Sequence, residues 1–332
     1  MSDAANVSAT RDVSDPSWLD VVIVNFNTRD ITLDCLASIE RTTLGSVPRV
    51  LLVDNASVDS SVDAIRARFP WVEVIASTEN LGFARGNNLA IRRTTADIVL
   101  LLNSDTIVSA GVLEESAEML RKNPGVAIAS CRVRNRDGSP QASCLNLRTV
   151  WSQLLGFFML RRSNFSCAPD HGAVDVPAVA GCVMFCDGAW LRARGGFDER
   201  FPFFGEDVDL CRQAHAEGKR VCVFGSGDIV HLGGASCEQT GGRRDGLLVN
   251  SDVILARKWE GLVASWAQWL IWVLYLTTRG LGYGLRWCLF RDERSWRRFS
   301  GGWQVLRGVM TAPPGQARFV LAGSQASRRI TP

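Results

Sequence analysis

The apolar residues of this chain come in short unbroken runs that stop at polar residues. Residues 21–24, 50–53 and 98–102 are such runs, and 72–75, interrupted by Glu73, reads as a further short strand. Each is too short for a helix of its own and rich in Val, Ile or Leu. That reads as strands buried on both faces of a sheet. Helical spacing separates them. Residues 30–41 place Leu33, Leu36 and Ile39 roughly on one face, with Asp30 as candidate N-cap. Residues 59–69 carry Val62, Ile65 and Phe69, and further helices are predicted from Asn80 to about Thr94 and over 110–122. Four strand–helix units with short links predict an α/β fold, a mostly parallel sheet with helices on both faces.

Past a further strand at 126–133 the pattern loosens. Residues 135–177 show turn residues, an apolar patch over 151–160 and no clear period, an excursion that could border the acceptor side of a pocket. Residues 179–185 resume as a strand containing Gly181, and 206 to about 217 read as a helix opened by three acids. Two short strands, 220–224 and 228–230, precede a helix over 243–259.

The ends of the buried strands carry the candidate chemistry. Asn25 and Asn27, Asp54 and Asn55, and Asn103 and Asp105 all fall where an apolar run stops. In open α/β sheets that edge is where ligands bind. A carboxylate such as Asp105 is there either a turn-former or a cation ligand. No GxGxxG follows the first strand and no GxxxxGK[ST] is present, so no glycine loop holds phosphates. A divalent cation on Asp105 is the economical replacement, since such ions need only one or two protein carboxylates. Glu206, Asp207 and Asp209 suit the dipole at a helix start. Alternatively, Glu206 or Asp207, beside Phe201, Phe203 and Phe204, is an acid with a raised pKa that serves as general base. His231 follows a short strand and precedes two glycines, so it is either a hydrogen-bonded structural residue or a ligand.

Composition narrows the classes. Apolar residues make up 46% of 332, enough for a sizeable core. The 37 basic and 34 acidic residues, net +3, are too balanced to argue for nucleic acid as a partner. Ten cysteines are scattered without a CxxC pair, which fits a reducing cytosol rather than a zinc or disulfide framework. Residues 1–17 are polar and acidic, a disordered lead-in with no signal-peptide core.

Taken in order, VVIVNFNT (21–28), LLVDNASVD (51–59), ENLGFARGNN (79–88), LLLNSDT (100–106), GGFDERFPFFGEDVDLC (195–211) and HLGGAS (231–236) closely resemble the inverting family 2 glycosyltransferases of the GT-A fold. The resemblance is strongest to the rhamnosyltransferase-like group that builds bacterial surface polysaccharides. It covers roughly residues 20 to 260 and implies roles. Asp54 would hydrogen-bond the pyrimidine base of the donor, with Asn25, Asn27 and Thr28 bordering the nucleotide. Asn80 and Arg85 would line the donor site. Asp105 resembles the last acid of the DXD motif, the metal ligand, with Asn103 at the motif's first position. His231 matches a histidine that in some members also holds the metal, Mg²⁺ or Mn²⁺. Asp207 matches the base, with Glu206 beside it. The implied activity is transfer of a sugar, rhamnose from dTDP-rhamnose foremost, from a nucleotide-sugar donor to a polyprenyl-linked or glycan acceptor. Galactose or galactofuranose from a UDP donor is an alternative. Asn103 also leaves open a degenerate nucleotide-sugar-binding protein without turnover.

The C-terminal part differs in kind. Residues 261–278 hold no charge, Trp266, Trp269 and Trp272 recur every three positions, and Arg279, Arg286, Arg291, Arg294, Arg297 and Arg298 follow among further tryptophans. Trp with Arg is the signature of a helix lying in the headgroup layer; a span or a packed helix are the alternatives. The expected division is therefore a lead-in (1–17), a GT-A domain (18–260), membrane-associated helices (261–312) and a flexible tail (313–332). The expected location is the cytoplasmic face of a bacterial inner membrane, attached peripherally or in plane.

Overall fold

The four strand–helix units appear in the order the hydrophobic pattern predicts. The computed structural model describes residues 18–43, 46–159, 164–201, 203–233 and 244–311. The expected lead-in and tail lie outside them. The first units are β1 (Leu19–Asn25), α1 (Arg29–Thr42), β2 (Arg49–Asp54), α2 (Ser61–Arg68), β3 (Val72–Ala76), α3 (Gly82–Ile91), β4 (Ile98–Asn103), β5 (Thr106–Val108) and α4 (Val112–Arg121). Then come β6 (Val126–Arg134), β7 (Cys144–Leu145), α5 (Val150–Met159), β8 (Asn164–Phe165), β9 (Ala173–Asp175), β10 (Ala178–Val179), β11 (Val183–Asp187) and α6 (Gly188–Ala193). The rest are α7 (Glu206–Ala216), β12 (Arg220–His231), α8 (Arg244–Trp259), α9 (Leu262–Phe290) and α10 (Glu293–Met310).

The main sheet runs β3-β2-β1-β4-β11-β6-β12-β5, with β9 beside β12. β1 to β4 are parallel, whereas β11 is antiparallel to both β4 and β6. Side chains alternate across the pleat. Leu19, Val21 and Ile23 therefore enter one core layer with α1 and α4, while Val22, Val99 and Leu101 enter the other with α3 and α7. Burial on both faces is why these strands read as unbroken apolar runs.

Register positions the site. Asn25 lies opposite Asp54, and Val24 opposite Asn103, so the polar strand ends share one edge. β11 runs back from that edge, with Val183 opposite Leu102. β5 pairs with the end of β12, Thr106 opposite His231. That pairing brings the Asn103–Asp105 turn to a histidine far along the chain.

Several boundaries differ from the pattern. Thr28, not Asp30, stands at the N-cap of α1, because its carbonyl already accepts from Thr32 N–H at 2.9 Å. The strand expected over 179–185 is two strands in different sheets. Between them Gly181 N–H leaves the ladder to bond the Asp207 carboxylate. The two strands expected at 220–224 and 228–230 are one, β12, with a register irregularity between Val223 and Asp228. Gly225 sits in that irregularity, where a Cβ would come within 2.6 Å of the His171 backbone. The unpatterned 135–177 stretch contains β7, α5, β8 and β9.

The apolar stretch expected to end at Thr278 continues as helix to Phe290. α9 packs on α8 and α10 around Val249, Val253, Leu276, Val305, Leu306 and Val309. Its other face leaves Trp266, Leu270, Leu274, Leu281, Leu285 and Leu289 exposed. Among the described residues no helix is long and apolar enough to cross a membrane.

Candidate active site

A cavity of about 800 Å³ opens at the polar edge of the sheet. Asn80, Asn103, Asp105, His231, Glu206 and Asp207 all line it. Asp105 and Asp207, a hundred positions apart in sequence, therefore face one cleft.

Not every expected residue faces the cavity. Asn25 and Thr28 are buried behind its wall. Asn25 Nδ2 donates to Asp54 Oδ1 at 2.7 Å, and its Oδ1 accepts from Thr28 at 2.7 Å and Thr32 at 2.8 Å. Asp54 is also buried, and its other oxygen accepts from Ser57 N–H at 2.9 Å. Asn27, at φ 50°, accepts from Val58 N–H. Together these residues form a knot that fixes the strand-end turns. Asn55, next to Asp54, is what reaches the cavity: its Nδ2 donates to the Gly82 carbonyl and its buried Oδ1 has no partner among the described residues. Arg85 lies outside the lining, exposed and 3.4 Å from Glu79.

The Asp105–His231 pair has the geometry of a cation site. Gln141 Nε2 donates to Asn135 Oδ1 at 2.9 Å and to the His231 carbonyl at 3.2 Å. Its Oε1 is thus left to accept, and His231 Nδ1 lies 2.7 Å away. That bond places a proton on Nδ1, so the neutral imidazole has its lone pair on Nε2. Nε2 stands 3.2 Å from Asp105 Oδ1. Two acceptors facing each other at that distance fit a shared cation, and the tied second nitrogen is the usual support of a metal-binding histidine. Among the described residues no cluster of three or more His, Cys, Asp or Glu side chains is suited to a metal. The pair would need further oxygens from a ligand.

Glu206 and Asp207 open α7. Gly205 before them has φ 85°, and a Cβ there would lie 3.2 Å from Ser251 and 3.3 Å from Phe201, so only glycine fits. Asp207 Oδ2 accepts from Gly181 N–H at 3.0 Å and Oδ1 from Val208 N–H at 2.8 Å. Burial raises its pKa, opposed first by the Arg148 charge and then by those N–H groups. Glu206 Oε2 is buried without a partner among the described residues. Burial foremost, then the Asp207 charge, pushes Glu206 well above the usual carboxylate range. The two adjacent acids therefore differ in environment, with Glu206 pushed further up than Asp207. Phe83, Phe203 and Phe204 form an aromatic wall beside them, with ring centroids 4.6 Å apart for Phe203 and Phe204.

Gln141, Arg148 and Arg244 are cavity residues that sequence reasoning missed, whereas Asn55 was legible there as a polar residue at a strand end. Gln141 and Arg148 lie in the stretch without periodicity. Arg244 stands exposed over the Phe204 ring, its guanidinium carbon 5.8 Å from the centroid.

Residues 20–175 match the family described as glycosyl transferase family 2, and residues 98–318 match glycosyl transferase family group 2. An N-acetylglucosaminyltransferase of Rhizobium leguminosarum bv. phaseoli is 30% identical over 218 residues, which are 60% of this chain and 46% of the relative. An N-acetylglucosaminyl-diphospho-decaprenol L-rhamnosyltransferase of Mycobacterium tuberculosis is 24% identical over 202 residues, 55% of this chain and 66% of the relative. The chain thus spans less than half the length of the first of these. Among solved structures, a mannosyltransferase from Pyrobaculum calidifontis in complex with GDP-Man and Mn²⁺ superposes with a TM-score of 0.50 at 18% identity, over 89% of this chain and 88% of the other. At that identity the likeness shows the fold.

Proposed function

Because the chain belongs to glycosyl transferase family group 2 and has the GT-A fold, we propose that it is an inverting, metal-dependent glycosyltransferase. In this reading it moves a sugar, rhamnose from dTDP-rhamnose first, from a nucleotide donor to a polyprenyl-linked or polysaccharide acceptor. The observation that carries the reading is that the Asp105–His231 pair and Asp207 line one cavity. The relatives' names also favour N-acetylglucosamine as a sugar to test.

The geometry supports one division of roles. The acceptor hydroxyl gives its proton to Asp207, whose carboxylate is oriented by the Gly181 and Val208 N–H groups and whose burial-driven upward pKa shift is opposed by the Arg148 charge. A positioned base of this kind contributes about 10²–10⁴-fold. The oxygen bonds to the anomeric carbon as the bond to the donor diphosphate breaks. Asp105 and His231 would hold Mg²⁺ or Mn²⁺, which when bound supplies positive charge for the leaving diphosphate. Arg244, exposed at the rim, is placed to add a second positive charge. One base without an enzyme nucleophile means one displacement, so the anomeric centre inverts. The exposed apolar face of α9, flanked by Arg286, Arg291, Arg294, Arg297 and Arg298, would rest in the headgroup layer of the cytoplasmic leaflet and hold the cavity over a lipid-linked acceptor.

A panel of nucleotide sugars with Mn²⁺ or Mg²⁺ tests the reading through nucleoside diphosphate release and the anomeric configuration of the product. Asp207→Asn should abolish turnover while nucleotide binding stays close to wild type. Wild-type turnover in Asp207→Asn would remove the assigned base, and a retained anomeric configuration would remove the single displacement.

A further inference from the structure

One buried carboxylate on α8 gathers donors from three other segments. Asp252 is 3% exposed. Its Oδ1 accepts from Arg148 Nη1 at 2.9 Å. Its Oδ2 accepts from Gln153 Nε2 on α5 at 2.9 Å and from Trp272 Nε1 on α9 at 3.0 Å. A carboxylate can take these bonds together because each oxygen has two lone pairs. Arg148, the first of the donors, lines the cavity with Glu206 and Asp207, and its charge acts on both. The guanidinium thus bonds the Asp252 carboxylate and lines the same cavity as the acids of α7. The opposite face of α9 carries the exposed Trp266, Leu270 and Leu274.

We infer that Asp252 is a positioning residue for the transfer. It holds Arg148 against the Glu206–Asp207 pair and fixes that arrangement to α9. The inference rests on the reading of Asp207 as the base. Without Asp252, a buried guanidinium would keep no anionic partner behind it and would turn toward solvent. The seat of α9 and the state of the cavity acids would then no longer be joined through a bonded path.

The other groups around Asp207 do not duplicate Arg148. Glu206 stands beside it on α7, and the thiols of Cys182 and Cys211 face it from the 180–182 crossing and from α7. Burial raises both thiols, so neither supplies charge at neutral pH. Asp209 on the same helix is engaged elsewhere, accepting from Lys258 and from the Trp259 indole. Arg148 is therefore the cation whose position matters.

The test is a ¹³C NMR titration of the aspartate side-chain carboxyls in the full chain, with the Asp207 signal assigned by its loss in Asp207→Asn. It needs neither donor nor acceptor, so it stands or falls separately from the proposed reaction. Asp252→Asn keeps the volume and removes the charge. If Arg148 depends on Asp252 for its position, the Asp207 midpoint rises by about one pH unit, a tenfold loss of its ionised form, as expected for losing a nearby opposite charge. If Arg148 stays in place without Asp252, removing a negative charge lowers the midpoint or leaves it unchanged. Either result overturns the inference. Arg148→Met should reproduce the rise, and the double variant should add nothing to it, whereas additive shifts would show two independent effects. Trp272→Phe removes only the indole N–H. It should give a smaller rise of the same sign, and no movement there would break the tie to α9.

Discussion

Replacing Gln141 by leucine tests the proposed metal site at a residue no motif names. In the wild-type chain the Gln141 amide donates to Asn135 and to the His231 carbonyl, and accepts from His231 Nδ1 at 2.7 Å. Leucine keeps the bulk and removes all of these. The imidazole then loses the acceptor that selects its Nδ1–H tautomer and the brace on its own backbone. Nε2 would present a lone pair to Asp105 for only part of the time. Loss of such an outer partner typically lowers metal affinity by about 10–100-fold, or about 1.4–2.7 kcal/mol. The upper half of that range is expected, since one side chain holds both the ring and the strand end beneath it. Stability should fall less, by about 1 kcal/mol per lost bond and partly replaced by water. Mn²⁺ titration by electron paramagnetic resonance, with UDP or dTDP present, reads the affinity. ¹⁵N correlation spectra of the metal-free protein read the tautomer. A wild-type His231 in the Nε2–H form, or a variant affinity within about twofold of wild type where the outer-partner effect is expected, refutes the reasoning.

Glu206→Gln should change how stability depends on pH. Burial holds the Glu206 pKa well above its ordinary value, so the folded chain keeps a proton that the unfolded chain releases from about pH 4.3 upward. Wild-type stability is then fullest below that value and falls as pH rises toward the folded pKa, by at most about 1.4 kcal/mol per unit. The variant lacks this slope, so denaturant midpoints should diverge in its favour between about pH 5 and 8; parallel curves would count against a neutral Glu206. Gly205→Ala should cost about 1–3 kcal/mol, because alanine disfavours φ 85° and its methyl group meets Ser251 and Phe201; a denaturant midpoint equal to wild type refutes that. Replacing Trp266, Leu270 and Leu274 together by glutamate should abolish co-sedimentation with phosphatidylglycerol vesicles while leaving nucleotide binding intact, and unchanged sedimentation would reject α9 as the docking face.

How much of this was legible in the chain depends on how local the cause is. The parallel units were readable because burial on both faces writes an unbroken apolar run into each strand. Asp105, Asp207 and His231 were readable because each ends or follows such a run or opens a helix. The donor-side knot was harder. Asn25 and Asp54 sit at strand ends like Asp105 does, yet they turn inward and bond each other, while Asn55 faces out. Which of two adjacent polar residues faces a cavity depends on the turn's backbone, here with Ala56 at φ 61° and Asn27 at φ 50°, and composition does not encode it. Gln141, Arg148 and Asp252 were invisible for another reason. Their partners lie far off in sequence, 90 positions for Gln141 and His231 and 104 for Arg148 and Asp252, so no window of sequence contains both.

The convergence of the two aspartates shows why a reversed strand matters here. In an all-parallel sheet every strand would bring its C-terminal end to the ligand edge and leave by a helix. β11 instead starts at that edge, antiparallel to β4, and its approach passes Gly181 beside the Asn103 turn, where Asn103 N–H donates to the Cys182 carbonyl at 3.0 Å. The Gly181 N–H is then free of the ladder and turns to Asp207. One short crossing therefore bonds to the turn that carries the proposed cation ligand and to the proposed base. A residue at 181 that moved this backbone would disturb both at once. Gly181→Val, whose Cβ alone would already touch Phe83 at 3.4 Å and the Asp207 Cβ at 3.6 Å and leave no room for its methyl branches, should therefore weaken Mn²⁺ binding and raise the Asp207 midpoint together. Movement of one without the other would show that the two halves of the site are held separately.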